Sequence, residues 1–439
     1  MRLTVIGTGY LGAVHAAGLA EMGHEVLGVD IDKQKIDALN DGDPPFFEPG
    51  FPELLTATLA TGRLRFTTSF AEAGEFGEAH FLCVGTPQKN RSYAADLSGL
   101  NAAVESLAPH LQRPCLVIGK STVPAGTSGD VAARVTELAP AGEGVQVAWN
   151  PEFLREGFAV EDTLRPDRLV FGVDSALAEA TLREIYAPIL AAGTPAISCD
   201  RVSAELVKVA ANAFLATKIS FINAIAEVCE AAGGDVATVA EAIGYDARIG
   251  NRFLQAGLGF GGGCLPKDIR AFRARAGEMG AEGALTFLRA IDEINLNRRL
   301  RAVEIVEGML GGSVLSAKIG VLGAAFKPNS DDVRDSPALT VAAMLQLRGA
   351  DVLVHDPEAI ENARNRFPTL DYTTRVEAAF DDADMLLHLT EWDTYRHLDA
   401  AEMARRTAVP RMLDARNKLD IEQWRAAGWT VRAMGRPAR

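Results

Sequence analysis

The 439-residue sequence predicts an α/β protein with two doubly wound domains joined by a central helical domain that carries a long helix. Three observations carry this expectation. The first ~200 residues alternate short apolar runs with helix-periodic segments, the signature of a parallel sheet covered on both faces. Val202 to Ala232 holds no Pro or Gly and places Leu206, Val209, Phe214, Phe221, Ile225 and Val228 at helical spacing. A second strand–helix–strand pattern then opens at Ala317. With ~150 residues per domain as a prior, the length fits about three domains. The expected boundaries are 1–199, 200–312 and 313–439.

Strand candidates in the first domain are Leu3–Ile6, Glu25–Val29, His80–Val84, Cys115–Gly119, Val145–Trp149 and Arg168–Gly172. Sheets of this kind bind ligands beyond the carboxyl ends of their strands. That points to Gly7, Asp30, Gly85-Thr86-Pro87, Lys120-Ser121-Thr122 and Asn150-Pro151-Glu152. After the helical block, Ala317–Gly323, the helix Ala338–Leu347 and the strand Asp351–Val354 ending in His355-Asp356 repeat the order of the first βαβ unit. The two halves read as diverged versions of one unit.

The net charge of −14 argues against a nucleic-acid partner, which would need a basic surface. Hydrophobic residues at 48% and charged residues at 23% are globular values. The five cysteines are widely spaced with no C-x-x-C pair, a reduced intracellular pattern with neither a disulfide framework nor a metal site. No run of ~18 apolar residues is read in the sequence, so no segment is expected to span a membrane. The apolar start Met1–Ile6 breaks at a glycine loop with no A-x-A-like cleavage site, so it reads as a buried strand of a cytoplasmic protein.

Gly7-Thr8-Gly9-Tyr10-Leu11-Gly12 is a G-x-G-x-x-G loop between a strand and a helix. Gly7 allows the tight turn, Gly9 lets a pyrophosphate approach the backbone, and Gly12 lets helix and strand pack closely. The helix N-terminus offers unpaired N–H groups to phosphates. Asp30 ends the second strand, where a carboxylate accepts from a ribose diol and repels a 2′-phosphate. NAD is therefore favoured over NADP.

Gly259-Phe260-Gly261-Gly262-Gly263-Cys264-Leu265-Pro266-Lys267-Asp268 is the most unusual stretch. Its glycines free the backbone to wrap a ligand. Pro266 suits the first turn of a helix, so Cys264 precedes a helix N-terminus with Lys267 nearby, and both features favour a thiolate. A lone cysteine is usually a small buried apolar residue, and that reading is taken for Cys83, Cys115, Cys199 and Cys229. A thiolate beside an NAD site suits an oxidation carried past the aldehyde: the thiolate traps the aldehyde, a second hydride transfer makes a thioester, and water releases an acid.

On these residues the chain resembles the UDP-glucose/GDP-mannose dehydrogenase family over essentially its whole length. The matching segments are Gly7–Gly12, Val84–Pro87, Ser121–Pro124, Asn150–Gly157, Gly259–Asp268 and Phe326-Lys327. The resemblance implies two Rossmann-like domains joined by a helical dimerisation core, and a four-electron oxidation of a sugar-nucleotide C6 alcohol by two NAD. It implies Cys264 as nucleophile and Glu152 as base for thioester hydrolysis. Lys208 and Asn212 would hold the oxyanion, Asp268 would pair with Lys208 and the water, and Thr122 would position water and nicotinamide. Without the resemblance, Lys208, Asn212, Glu152 and Asp268 would read as solvated surface.

Cofactor contacts implied in the same way are Gly7, Gly9, Leu11, Gly12, Asp30, Lys35, Thr86, Thr122, Glu156, Lys267 and Arg334. Substrate contacts implied are Phe153, Leu154, Lys208, Asn212, Phe253, Leu254, Gln255, Ala256, Gly257, Gly261, Phe326 and Lys327. Arg248 resembles an arginine that reaches a neighbouring subunit's site, and Arg416 one near the sugar or nucleotide. The chain has Gly263 where many relatives have Ser and Leu265 where Phe is frequent, which bears on substrate preference.

Asp246–Gly250 with Phe253-Leu254 resembles the UDP-glucose branch, so UDP-glucose is the expected substrate and UDP-glucuronate the product. The alternatives are GDP-mannose or a UDP-N-acetylhexosamine in the same chemistry, a single-step β-hydroxyacid dehydrogenase, or a non-catalytic nucleotide-binding factor. A homo-oligomer, a dimer, is expected because the long helix has more apolar positions than one flank covers.

Overall fold

Eight strands build the first sheet: β1 (Arg2–Ile6), β2 (Glu25–Val29), β3 (Leu64–Thr67), β4 (Ala79–Leu82), β5 (Cys115–Gly119), β6 (Val145–Trp149), β7 (Leu169–Gly172) and β8 (Ala196–Cys199). Their order is β3-β2-β1-β4-β5-β6-β7-β8. All neighbours are parallel except β6 and β7, which meet antiparallel at Trp149 and Gly172. β1 and β2 are exposed only at their first residue and buried thereafter, as strands covered on both faces must be. The structure, a computed structural model, describes residues 1–437.

The six strands expected from sequence are all present, with ends shifted by a residue or two. β3 and β8 were not expected. Both lie at sheet edges, where one side needs no apolar cover, so Leu64–Thr67 alternates and Ala196–Cys199 is half exposed.

Contacts divide the chain into two compact units, Met1–Ala211 with Arg270–Gly280 and Asn212–Ile269 with Ala281–Arg439. The second holds a six-stranded, all-parallel sheet: β9 (Lys318–Leu322), β10 (Asp351–His355), β11 (Asp371–Thr373), β12 (Met385–His388), β13 (Arg411–Asp414) and β14 (Thr430–Ala433). Its order, β11-β10-β9-β12-β13-β14, reproduces the order of the first six strands of the other sheet. The likeness reaches single atoms. Gly7 N–H donates to Val29 O at 2.7 Å, and Gly323 N–H donates to His355 O at 2.7 Å. Both glycines have positive φ, +91° and +111°. The protein is thus α/β with two doubly wound sheets, separated in sequence by the long helix.

That helix, Arg201–Ala232, runs 32 residues. By length and composition it is apolar enough to cross a membrane, which the absence of an unbroken apolar run did not suggest. Its polar side chains argue for a protein interior. Ser220 and Asn223 are both fully buried. Ser220 Oγ donates to Ile291 O at 2.8 Å, and Asn223 Oδ1 accepts Gly257 N–H at 2.8 Å. Buried polar groups satisfied by other parts of the chain belong to a core helix.

Candidate functional site

In the first unit the glycine loop follows β1 and opens the helix Tyr10–Glu21, which is buried from Gly12 to Ala20. A Cβ on Gly12 would run into Gly7 O, so only glycine lets the helix come this close to the turn. Gly9 is different. It is exposed, and a Cβ there would meet nothing within 4 Å. The open face above Gly9 is what a pyrophosphate needs, so the residues present fit a dinucleotide. Leu11 is half-buried beside it.

Asp30 ends β2 and ties the loop together. Its Oδ2 accepts Thr8 N–H at 2.9 Å and the Lys35 ammonium at 3.0 Å, and its Oδ1 accepts Asp32 N–H at 3.1 Å. Burial pushes this carboxyl up, but the hydrogen bonds from Asp32, Lys35 and Thr8 together outweigh it and leave it below its usual range. Thr86 and Thr122 are joined, Thr86 Oγ1 donating to Thr122 O at 2.7 Å.

Glu152 follows β6. Its Oε1 lies 2.9 Å from Lys208 Nζ, and its Oε2 accepts Leu154 N–H at 2.6 Å. The Phe153 ring carries the Arg168 guanidinium 3.8 Å from its centroid and Lys208 Nζ at 5.5 Å. Leu154 packs against the sheet core. Glu156 is half-buried on the same loop.

The sequence reading missed how this loop is anchored. Glu48, 2% exposed, accepts the N–H groups of Gly157 and Ala159, each at 2.6 Å, and the hydroxyl of Tyr10. Tyr10 Oη also accepts Gly157 N–H at 2.9 Å. Burial raises the Glu48 carboxyl against these hydrogen bonds, and burial with the Glu48 carboxylate raises the Tyr10 phenol. A Tyr inside the glycine motif and a Glu within an apolar Phe-Phe-Glu-Pro-Gly run were the available signals.

In the second unit Cys264 is exposed and caps the helix Leu265–Glu278, its carbonyl accepting Asp268 N–H at 3.0 Å. Asp268, 3% exposed, takes Asn212 Nδ2 on one oxygen and Lys267 Nζ on the other, each at 2.6 Å. Lys208, Asn212 and Asp268 are all buried and Glu152 nearly so, which sets aside the solvated-surface reading for each. The other cysteines differ from Cys264. Burial pushes the Cys83 thiol up to about 12 and Cys115 to about 11, and raises Cys199. Cys229 is buried.

The stretch leading to Cys264 is pinned by its surroundings. Phe253 takes the left-handed φ of +64°. Leu254 and Ala256 are buried, Gln255 is exposed, and Asn417 Nδ2 donates to Ala256 O at 3.0 Å. Gly262 N–H donates to Arg334 O at 2.8 Å, and a Cβ on Gly262 would sit 2.7 Å from the Phe326 ring. A Cβ on Gly261 would strike Asp335 O, and one on Gly263 would strike the Arg334 guanidinium, which is held by Asp332. Lys327 Nζ lies 5.3 Å from the Phe326 centroid. Arg416 donates to the carbonyls of Gly259, Leu389 and Phe326 and pairs with Glu391 at 3.2 Å, so its guanidinium is spent within the protein. Arg248 is exposed and paired with Asp246.

Comparison with known proteins gives three successive matches along the chain. Residues 1–190 match the model of the UDP-glucose/GDP-mannose dehydrogenase family, NAD binding domain; residues 202–297 match its central domain, and residues 320–421 its UDP binding domain. The UDP-glucose 6-dehydrogenase of Rhizobium meliloti is 42% identical over 439 residues, covering 100% of both chains. The structure of a UDP-glucose dehydrogenase from Pyrobaculum islandicum superposes with a TM-score of 0.90 at 38% identity, covering 98% of each chain. That of a UDP-D-ManNAc dehydrogenase from Pyrococcus horikoshii does so at 0.86 and 26%, covering 99% of each.

Proposed function

The chain belongs to the UDP-glucose/GDP-mannose dehydrogenase family, and from that premise we propose that it oxidises UDP-glucose to UDP-glucuronate in two NAD-dependent steps through Cys264. The observation that carries the reading is the contrast among thiols: Cys264 is exposed at a helix N-terminus, while burial pushes up the thiols of the buried Cys83 and the half-buried Cys115. NAD supplies the hydride acceptor, with Gly7, Gly9, Leu11, Gly12, Asp30, Lys35, Thr86, Thr122, Glu156, Lys267 and Arg334 proposed to hold it.

In the first step the C6 alcohol would give a hydride to the bound nicotinamide and its hydroxyl proton to water, becoming an aldehyde. The Cys264 thiolate then forms a bond to C6, and the Lys208 ammonium and the Asn212 amide stabilise the oxyanion. Loss of a second hydride leaves a thioester. Glu152 takes a proton from water as the water oxygen bonds to C6, and the Cys264 thiolate leaves. Thr122 orients the water, and Asp268 sets the orientation of the Asn212 amide through their hydrogen bond. Phe153, Leu154, Phe253 to Gly257, Gly261, Phe326 and Lys327 are proposed to line the sugar-nucleotide site, with Arg248 acting on a second subunit's substrate.

We also propose a cytoplasmic homodimer of three-domain chains, divided at 1–199, 200–312 and 313–439. Phe214, Phe221 and Val228 are exposed and spaced by seven residues, so they form one apolar stripe on the long helix. The test of the activity is NADH stoichiometry on UDP-glucose, GDP-mannose and UDP-N-acetylhexosamines, repeated with Cys264→Ser. Two NADH per UDP-glucose, lost in the variant, supports the reading; one NADH per substrate with the variant fully active refutes it.

A further inference from the structure

The glycines between Phe253 and Cys264 give that stretch little means of holding its own shape. Its backbone is instead fixed from one face of the helix Phe287–Met309. Asn295, 1% exposed, uses both ends of its amide on one residue: Oδ1 accepts Phe260 N–H at 2.8 Å, and Nδ2 donates to Phe260 O at 2.9 Å. The neighbouring residue has to be glycine for this, because a Cβ on Gly259, whose φ is +90°, would run into Asn295 Oδ1.

Two further side chains share that face at spacings of three and four residues. Arg298 Nε donates to Gly257 O at 3.0 Å. Arg299 Nη1 donates to Asp335 Oδ1 at 3.0 Å and Nη2 to Asp335 O at 3.3 Å. The Asp335 carbonyl is the atom that a Cβ on Gly261 would strike.

We infer that Asn295 is a positioning residue for the reactive thiol: its amide locks the Phe260 peptide, and through it the glycine segment that delivers Cys264 to its helix N-terminus. This rests on the proposed role of Cys264. A nucleophile displaced by 1 Å can lose about 10²-fold in rate, so a buried amide that fixes the peptide four residues upstream of the thiol can govern turnover without touching substrate.

The test uses the full chain with Asn295→Ala and the near-isosteric Asn295→Asp, which still accepts Phe260 N–H but, when ionised, cannot donate to Phe260 O. Ser220→Ala is the control, since it removes a different buried hydrogen bond to the same helix. Site-resolved alkylation of Cys264 by iodoacetamide is expected to slow about 10-fold in the Asn295 variants as the sulfur loses its place at the helix N-terminus. With UDP-glucose, kcat is expected to fall about 10²-fold while the KM for NAD stays unchanged. Should Asn295→Ala fail to fold, Asn295→Asp carries the comparison alone. Wild-type alkylation and turnover in the folded Asn295 variants would overturn the inference, as would equal losses in Ser220→Ala. Because alkylation is read without substrate, it still decides the matter if the wild-type protein leaves UDP-glucose untouched; that result would count against the proposed substrate alone.

Discussion

Lys208 Nζ lies 2.9 Å from Glu152 Oε1, and both side chains are largely withdrawn from solvent. Removing the charge of one partner leaves the other buried and uncompensated; Glu152→Gln keeps the side chain's shape and one accepting oxygen but takes the counter-charge from the Lys208 ammonium. Glu152→Gln should therefore lower the melting temperature yet retain the oxidative steps, and lose about 10²-fold or more in the hydrolytic one. Intact-protein mass spectrometry with UDP-glucose and NAD should then find the sugar nucleotide covalently attached at Cys264; rapid full turnover without an adduct would contradict the role.

The glycines of the first loop separate binding from packing. Gly9→Ala adds a methyl group to open space, so thermal stability should hold while the KM for NAD rises about 10-fold or more as the pyrophosphate loses its approach. Gly12→Ala drives a methyl group into Gly7 O, so it should lower the melting temperature outright. Calorimetry beside NAD titration distinguishes the two effects.

Acid should unfold the first unit early. His80 is fully buried with Nδ1 2.7 Å from Thr4 Oγ1, and burial, then Arg113, lowers its pKa to about 3. The unfolded chain binds this proton near pH 6.5 and the folded chain does not, so stability present above that pH drains away as pH falls towards 3. The loss is on the order of 4 kcal/mol between pH 7 and pH 3. His15, also lowered by burial, acts in the same direction. Urea midpoints across this range should fall less steeply for His80→Gln than for the wild type.

Phe214 and Phe221 are 66% and 48% exposed, large areas to leave in water. Charging both, as Phe214→Glu with Phe221→Glu, should shift the sedimentation coefficient from dimer to monomer at micromolar concentration. An unchanged coefficient would show that the stripe is not the dimer interface.

Much of this was legible in the sequence because the informative features were local. A strand, a G-x-G-x-x-G turn and a terminal Asp30 are adjacent in the chain, and the helix N-terminus after Cys264 is announced by Pro266. Edge strands β3 and β8 were missed because their burial is one-sided. Glu48 and Asn295 were missed for another reason. Each is a single polar residue bonded to backbone more than 30 positions away. No periodicity marks such a residue; only the folded partner reveals it. The roles of Lys208 and Asp268 likewise came from resemblance, since their burial depends on tertiary packing.

The carboxylate that follows the second strand has different fates in the two sheets. Asp356 is 1% exposed and spends its oxygens on the N–H groups of Ala324, Ala325, Glu358 and Ala359 and on the indole of Trp392. Asp30 keeps an edge open to solvent. Among the described residues, the two matching sheets thus differ at this point: the strand-end carboxylate keeps an open edge in the first and is enclosed in the second. If the proposed two steps both use the first sheet's berth, the spent carrier departs and a fresh one arrives midway through the work. In the proposed reaction the half-finished sugar waits out that exchange, and a bond to sulfur would be the mooring that stops it drifting off.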